Sequence, residues 1–156
     1  MNVTRRDLLK HLGTGGSFSA LLASGLMGPI TAFAAQWNKP SFESKDMAAA
    51  MKNIDATAAV DSKDIVLNAP AIAENGAVVP ISVVSNIPNT TRISILIEKN
   101  PFPLAGSFEL AEGAVADVGV RLKFSQTSNV RAVVTAGGKA YMTQKEVKVT
   151  AGGCGG

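Results

Sequence analysis

The hydrophobic and polar positions of this chain follow two different periods. In the first part, apolar side chains recur at helical spacing within residues 45–54, at Met47, Met51 and Ile54. Side chains three and four positions apart share one face of a helix, so this stretch predicts a short amphipathic helix with Ser44 as N-cap and Asp46 in its first turn. The polar residues 36–44 before it predict an exposed lead-in. Two methionines at helical spacing favour packing over a metal site.

After Asp61 the period becomes two, which is typical of half-buried strands. The alternation is clearest in residues 91–98, with Ile93, Ile95 and Ile97 predicted inward and Arg92, Ser94 and Glu98 outward. Two further stretches alternate in the same way, with their apolar positions at Val79, Ile81 and Val83, and at Val118, Val120, Leu122 and Phe124. Pro80 has no amide donor, so its strand is expected to have an edge or a bulge there.

Turn signals separate these stretches at regular intervals. Asn75-Gly76 predicts a turn, the prolines of residues 99–106 break the pattern, and Ala136-Gly137-Gly138-Lys139 predicts a hairpin. About seven short strands with one short N-terminal helix predict a mainly β domain, an antiparallel sandwich of immunoglobulin-like type. A small barrel is the alternative, and the cysteine pair of antibody domains is absent from the sequence.

Residues 1–34 have the layout of an export signal that is cleaved. A charged start is followed by a stretch without charge from Leu12 onward, and Ala32-Phe33-Ala34 provides an A-x-A cleavage site. The paired Arg5 and Arg6 resemble the twin-arginine signal of bacteria, which implies export to the periplasm in the folded state. The stretch is rich in Gly and Ser and weakly hydrophobic, so a membrane anchor is the less favoured interpretation.

Removal of that signal changes the charge and the chemistry of the chain. The net charge falls from +3 to about +1, and no basic cluster remains to support nucleic-acid binding. His11, the only histidine, is lost as well. A chain with one cysteine and no imidazole excludes Ser-His-Asp and Cys-His catalysis, His-ligated haem or copper, Cys-based zinc sites and an internal disulfide.

The sequence ends in a thiol that has two glycines on each side, at Cys154. Glycine adopts both signs of φ at little cost, so residues 150–156 predict a flexible arm, and no residue from Thr150 onward is expected to anchor it. Five extended residues beyond Val149 reach at most about 17 Å. A thiol on such an arm can enter a narrow pocket of another protein.

Four interpretations of Cys154 are open from the residues alone. A disordered terminus without function is one, although a free thiol is a liability in an oxidising compartment. An intermolecular disulfide is a second. A catalytic nucleophile is a third, but no base is present and the nearby C-terminal carboxylate does not activate a thiol. The fourth is a carrier that supplies the thiol while partner enzymes supply the activation.

These features together resemble the SoxY family, the sulfur-carrier subunits of the bacterial Sox thiosulfate-oxidising system. The twin-arginine signal, the small β-sandwich, the segment IVLNAPAIAENGAVVPISV and the terminal GGCGG carry the resemblance, which covers essentially the whole chain. It implies that Cys154 is the covalent substrate-attachment residue. It also implies a swinging carrier arm formed by Gly152, Gly153, Gly155 and Gly156.

The resemblance further implies a set of partners. A SoxZ-like β-sandwich subunit would form a heterodimer with the chain. The c-type haem enzyme SoxXA would join thiosulfate to Cys154 as a cysteine S-thiosulfonate, the di-manganese hydrolase SoxB would release sulfate, and the sulfane dehydrogenase SoxCD, where present, would oxidise the remaining sulfur. The protein itself is expected to be non-catalytic, to hold no cofactor or metal, and to bind neither nucleic acid nor membrane.

The expected organisation has three parts: the signal in residues 1–34, the sandwich with its helix in residues 35–149, and the arm in residues 150–156. The aliphatic segment Ile81–Val84, taken as a sheet edge, and an exposed Leu96 are the candidate contacts for a partner subunit. A periplasmic interaction module linked to its partner by an intermolecular disulfide is the alternative function.

Overall fold

The computed structural model describes residues 38–150, which fold into two β-sheets and two short helices. The helices are α1 (Lys39–Phe42) and α2 (Met47–Asn53). The strands are β1 (Val60–Asp61), β2 (Ile65–Asn68), β3 (Ile72–Ala73), β4 (Val79–Ser85), β5 (Thr90–Ile97), β6 (Leu104–Glu109), β7 (Asp117–Leu122), β8 (Ser128–Ala136) and β9 (Lys139–Val149). The seven strands predicted from the alternation are present as β2 and β4 to β9, and the two-residue strands β1 and β3 are additional.

The strands form two separate sheets, which confirms the predicted sandwich and not the small barrel. The larger sheet has the order β1-β9-β8-β5-β6, with β3 paired to the far end of β9, and the smaller sheet has the order β2-β4-β7. β1 and β3 run parallel to β9, whereas the other pairings of the described strands are antiparallel. The β8–β9 turn has positive φ at Gly137 and Gly138, as the predicted glycine hairpin requires.

The interior of the sandwich is aliphatic, and the predicted inward positions lie in it. Val79, Ile81 and Val83 of β4 and Ile93, Ile95 and Ile97 of β5 are at most 2% exposed. Phe124, just after β7, is fully buried in the same cluster. Burial of this apolar surface, at roughly 25 cal/mol per Å², is the main favourable term that holds the two sheets together.

The predicted outward side of β5 is wrong at Ser94 and at Leu96, which are buried, whereas Glu98 is exposed as predicted. Leu96 is fully buried, and packs with Met51 and Ile54 of the α2 region in a second hydrophobic cluster on the outer face of the larger sheet. Ser94 is 1% exposed, and its hydroxyl shares a hydrogen bond of 2.9 Å with that of Ser107. Leu96 is therefore not available as a contact for a partner subunit.

The helix over residues 45–54 is confirmed in shorter form, with its packing face as predicted, but its cap is a different residue. Asp46 is the N-cap, and its carboxylate accepts a hydrogen bond of 2.7 Å from the amide of Ala49. Ser44 is 7% exposed and donates to the carbonyl of Pro40 instead. The prediction of an exposed lead-in is wrong in part: α1 occupies that segment and Ser41 is fully buried, whereas Lys39, Pro40 and Glu43 are exposed.

β4 is the central strand of the smaller sheet, so the segment Ile81–Val84 is not a sheet edge. It pairs with β2 on one side and with β7 on the other. The expectation of an edge is correct only at Pro80, because β2 extends along β4 only as far as Ser82 and leaves Pro80 paired with Arg121 of β7 alone. Proline is tolerated at such a position because the strand is paired there on one side only.

Candidate functional site at the end of the last strand

The functional residues predicted from the sequence lie outside the described part of the chain. These are Cys154, the glycines Gly152, Gly153, Gly155 and Gly156, and the signal residues Arg5 and Arg6. Thr150 is the last described residue, and Cys154 follows it by four positions. The structure therefore shows where the cysteine-bearing tail leaves the sandwich. We call Lys148, Val149 and Thr150 the tail root.

The tail root lies beyond the end of the neighbouring strand β8. The pairing of β8 with β9 ends at Ser128 and Val147, so the tail root has no strand beside it there. The hydroxyl of Thr127 takes the place of that strand: it accepts a hydrogen bond of 2.9 Å from the amide of Val149, and it lies 3.4 Å from the carbonyl of Val149, to which it donates. One side chain thus satisfies both backbone groups of Val149.

On its other side the tail root is held by β3. Ile72 and Ala73 pair in parallel with Lys148 and Val149. The amide of Lys148 donates to the carbonyl of Ala71 at 3.0 Å, and the amide of Thr150 donates to the carbonyl of Ala73 at 3.1 Å.

The side chain of Thr150 adds a further tie. Its hydroxyl donates to the carbonyl of Glu74 at 3.2 Å. The expectation that nothing from Thr150 onward anchors the tail is therefore wrong for Thr150, which lies exposed but is fixed by its backbone and its side chain. Three residues lie between Thr150 and Cys154, so the extended chain spans at most about 13–14 Å between their Cα atoms.

The surroundings of the tail root offer cations and apolar surface. Ile72 of β3 is 60% exposed. Farther along β9, Lys145 and Arg121 line an open groove of about 700 Å³ over the smaller sheet, and the Lys145 ammonium donates to the carbonyl of Ala69. The groove lining has no carboxylate, so it provides positive charge but no acid–base pair.

No group of three or more His, Cys, Asp or Glu side chains in residues 38–150 is placed to hold a metal ion. Within the same residues, no helix is long and apolar enough to cross a membrane.

Sequence reasoning did not find Thr127 or the role of β3 at the tail root. The hydrogen bond from Thr150 to Glu74 joins residues 76 positions apart, and the one between Thr127 and Val149 joins residues 22 positions apart. No periodic pattern marks either contact. The two-residue strand β3 lies in a segment with Pro and Gly nearby, which reads as a loop.

Comparison with known proteins is informative for most of the chain. The model of the family described as sulfur oxidation protein SoxY matches residues 50–154. A solved structure of the sulfur carrier protein SoxY from Chlorobium limicola f thiosulfatophilum is similar, with 43% sequence identity and a TM-score of 0.54, over 58% of this chain and 82% of that one.

A second similar structure is too distant to support any conclusion about this chain. It is to a chain in a structure on T cell specificity and activation by the bacterial superantigen toxic shock syndrome toxin-1, with 14% identity and a TM-score of 0.37, over 55% of this chain and 98% of that one. None of the curated proteins compared matches the chain. The family match spans more than half of the sequence and agrees with the sandwich and the terminal motif, and this chain belongs to the SoxY family of sulfur oxidation proteins.

Proposed function

We propose that this protein is a carrier that holds thiosulfate-derived sulfur covalently on Cys154 and presents it to partner enzymes. The observation that carries the proposal is that the family match extends to Cys154, the only cysteine of the chain. The similar structure from Chlorobium limicola f thiosulfatophilum is of a sulfur carrier protein, which supports the same role.

The chemistry of loading needs an oxidant, which a partner supplies. The Cys154 thiol and the outer sulfur of thiosulfate form an S–S bond, with the loss of one proton and two electrons, and the product is a cysteine S-thiosulfonate. A SoxXA-like c-type haem enzyme accepts the electrons. Hydrolysis by a SoxB-like di-manganese enzyme then breaks the S–S bond to the sulfonate and adds water, which leaves a persulfide on Cys154 and releases sulfate and a proton.

A carrier whose partner enzymes perform the reactions needs no catalytic groups of its own. After removal of residues 1–34 the protein has no histidine, and its thiol has no neighbouring base in the sequence. Activation, electron transfer and hydrolysis are therefore supplied by the partners, including a SoxCD-like dehydrogenase where it is present. A SoxZ-like subunit forms the heterodimer. Export through Arg5 and Arg6 by the twin-arginine route places the protein in the periplasm with them.

The tail root supports the carrier role. It fixes Thr150 to the edge of the larger sheet, and four residues then lead to Cys154. Gly152 and Gly153 have no Cβ, so the segment that precedes the thiol is thin enough to follow it into a narrow pocket.

Alkylation of Cys154 with iodoacetamide separates the carrier from the disulfide-linked module. The alkylated protein is expected to give no thiosulfate-dependent cytochrome c reduction when it is added to an extract of thiosulfate-grown cells that lack it, because the thiol can no longer form an S–S bond. Its association with the partner subunit is expected to persist on size-exclusion chromatography. Retained activity with lost association would instead support the disulfide-linked module.

A further inference from the structure

We propose that Thr127 and Thr150 are positioning residues, whose hydroxyls fix the tail root so that Cys154 is presented at a set distance from the sandwich. The inference rests on the proposed function, since it concerns how the carrier thiol meets a partner. Both residues act through the backbone of β9 and β3, and neither needs to touch the sulfur that Cys154 carries.

Hydrogen bonds at the edge of the larger sheet hold the tail root, and Val149 also packs, partly buried, against the main hydrophobic cluster. Val147 is fully buried and is the last residue of β9 in the main hydrophobic cluster's buried set. Lys148 and Thr150 are exposed, as is Ile72 on β3. The two hydrogen bonds between Thr127 and Val149 are part-buried, and the one from Thr150 to Glu74 is exposed. The net contribution of such bonds to stability is modest, because water competes for the same groups. The arrangement therefore has a larger effect on where the tail begins than on whether the domain folds.

On each side of the tail root, a side-chain hydroxyl forms hydrogen bonds with backbone groups at the point where strand pairing ends. Thr127 stands where β8 ends, and binds the amide and the carbonyl of Val149. Thr150 stands where β3 ends, and its hydroxyl reaches the carbonyl of Glu74. Valine has nearly the same shape as threonine but has no hydroxyl. Replacement of either residue by valine thus removes these hydrogen bonds and keeps the β-branched form.

The hydroxyls of Thr127 and Thr150 hold the tail root together with its backbone pairing to β3. With the tail root fixed, four residues lead from Thr150 to Cys154, at most about 13–14 Å. Without the hydroxyls, we expect the two-residue pairing with β3 to open more often. When it is open, the last fully buried residue of β9 is Val147, and seven Cα-to-Cα steps lead to Cys154, at most about 23–25 Å. The longer segment samples a larger volume and has three more residues to order when the thiol enters a pocket. Binding is weakened, whereas the chemistry that follows entry is unchanged.

The test is the double variant Thr127→Val/Thr150→Val of the exported protein. Hydrogen–deuterium exchange at the amides of Lys148, Val149 and Thr150 is expected to become faster. In the extract of thiosulfate-grown cells lacking this protein, the carrier concentration that gives half the maximal rate of cytochrome c reduction is expected to rise about threefold to tenfold. The maximal rate and the rate of alkylation of Cys154 by iodoacetamide are expected to stay the same.

Two matched variants accompany the test. Thr127→Ser/Thr150→Ser keeps the hydroxyls and is expected to restore both the exchange rates and the half-maximal concentration. Thr91→Val removes an exposed hydroxyl that donates to the carbonyl of Thr135, away from the tail root, and is expected to behave like the wild type. If the double valine variant does not fold, the single variant Thr150→Val decides the question by the same measurements.

Two results would overturn the inference. Exchange that stays slow in the valine variants would show that the hydroxyls do not hold the tail root. An unchanged half-maximal concentration despite faster exchange would show that the fixed root does not matter for presentation. Either result, with normal activity of the wild type, leaves the carrier function intact. A wild-type protein that supports no thiosulfate-dependent reduction would overturn the carrier function itself, and the positioning role with it.

Discussion

Replacement of Cys154 by serine is expected to reduce thiosulfate-dependent cytochrome c reduction to the background rate of an extract without this protein. Serine is nearly isosteric with cysteine, but its hydroxyl cannot supply a thiolate and cannot form an S–S bond to thiosulfate. The protein has one cysteine, so no other thiol can take over. The measurement is the initial rate at a saturating concentration of the added protein.

The same substitution is expected to leave the fold intact. Within residues 38–150, the two hydrophobic clusters draw their buried members from residues 50–147. The nearly isosteric serine changes no side chain of these clusters. The free energy of unfolding of Cys154→Ser is expected to match the wild type within about 0.5 kcal/mol. Ala151→Ser is the control, because it adds a hydroxyl to the same tail and keeps the thiol. A Cys154→Ser protein with wild-type activity would contradict the carrier role.

Replacement of Phe124 by alanine is expected to lower the free energy of unfolding by about 3–5 kcal/mol. Phe124 is fully buried between the sheets, and truncation of its ring leaves a cavity that the aliphatic neighbours fill only in part. Its amide also donates to the carbonyl of Gly76 at 2.7 Å, so the loop between β3 and β4 is tied to the same place. A loss of this size is a large share of the roughly 5–15 kcal/mol that holds a small domain folded.

Urea unfolding followed by circular dichroism measures this effect. Phe102→Ala is the matched control, because Phe102 is 49% exposed in the loop between β5 and β6. That control is expected to shift the free energy of unfolding by no more than about 0.5 kcal/mol. Equal unfolding midpoints for the two variants would contradict the assignment of Phe124 to the core.

The strands with strict alternation could be predicted from the sequence because each has one face in the interior. β4 and β7 are of this kind, and the isoleucines of β5 identify its inner face in the same way. The outer face of β5 could not be predicted. Leu96 and Ser94 occupy positions that alternation assigns to solvent. Leu96 is buried because α2 packs on that face, and Ser94 is buried with its hydroxyl bonded to that of Ser107.

The short parallel strands and the tail root were beyond prediction for a different reason. β1 and β3 have two residues each, too few for a period, and they form only because β9 is long enough to accept a partner at each end. Only part of the candidate site could be predicted from the sequence. The composition of the tail and the resemblance to the SoxY family identify Cys154, whereas the hydroxyls of Thr127 and Thr150 depend on contacts that only the folded chain brings together.

Mass spectrometry of the C-terminal peptide tests the central claim most directly. The protein is purified from cells grown on thiosulfate, without reducing agents, and the peptide that contains Cys154 is compared with that from cells grown without thiosulfate. For a sulfur carrier, peptide masses increased by a thiosulfate-derived group and by a single sulfur atom are expected, with both increments lost on reduction. A peptide found only as free thiol or as a disulfide to another protein would contradict the central claim.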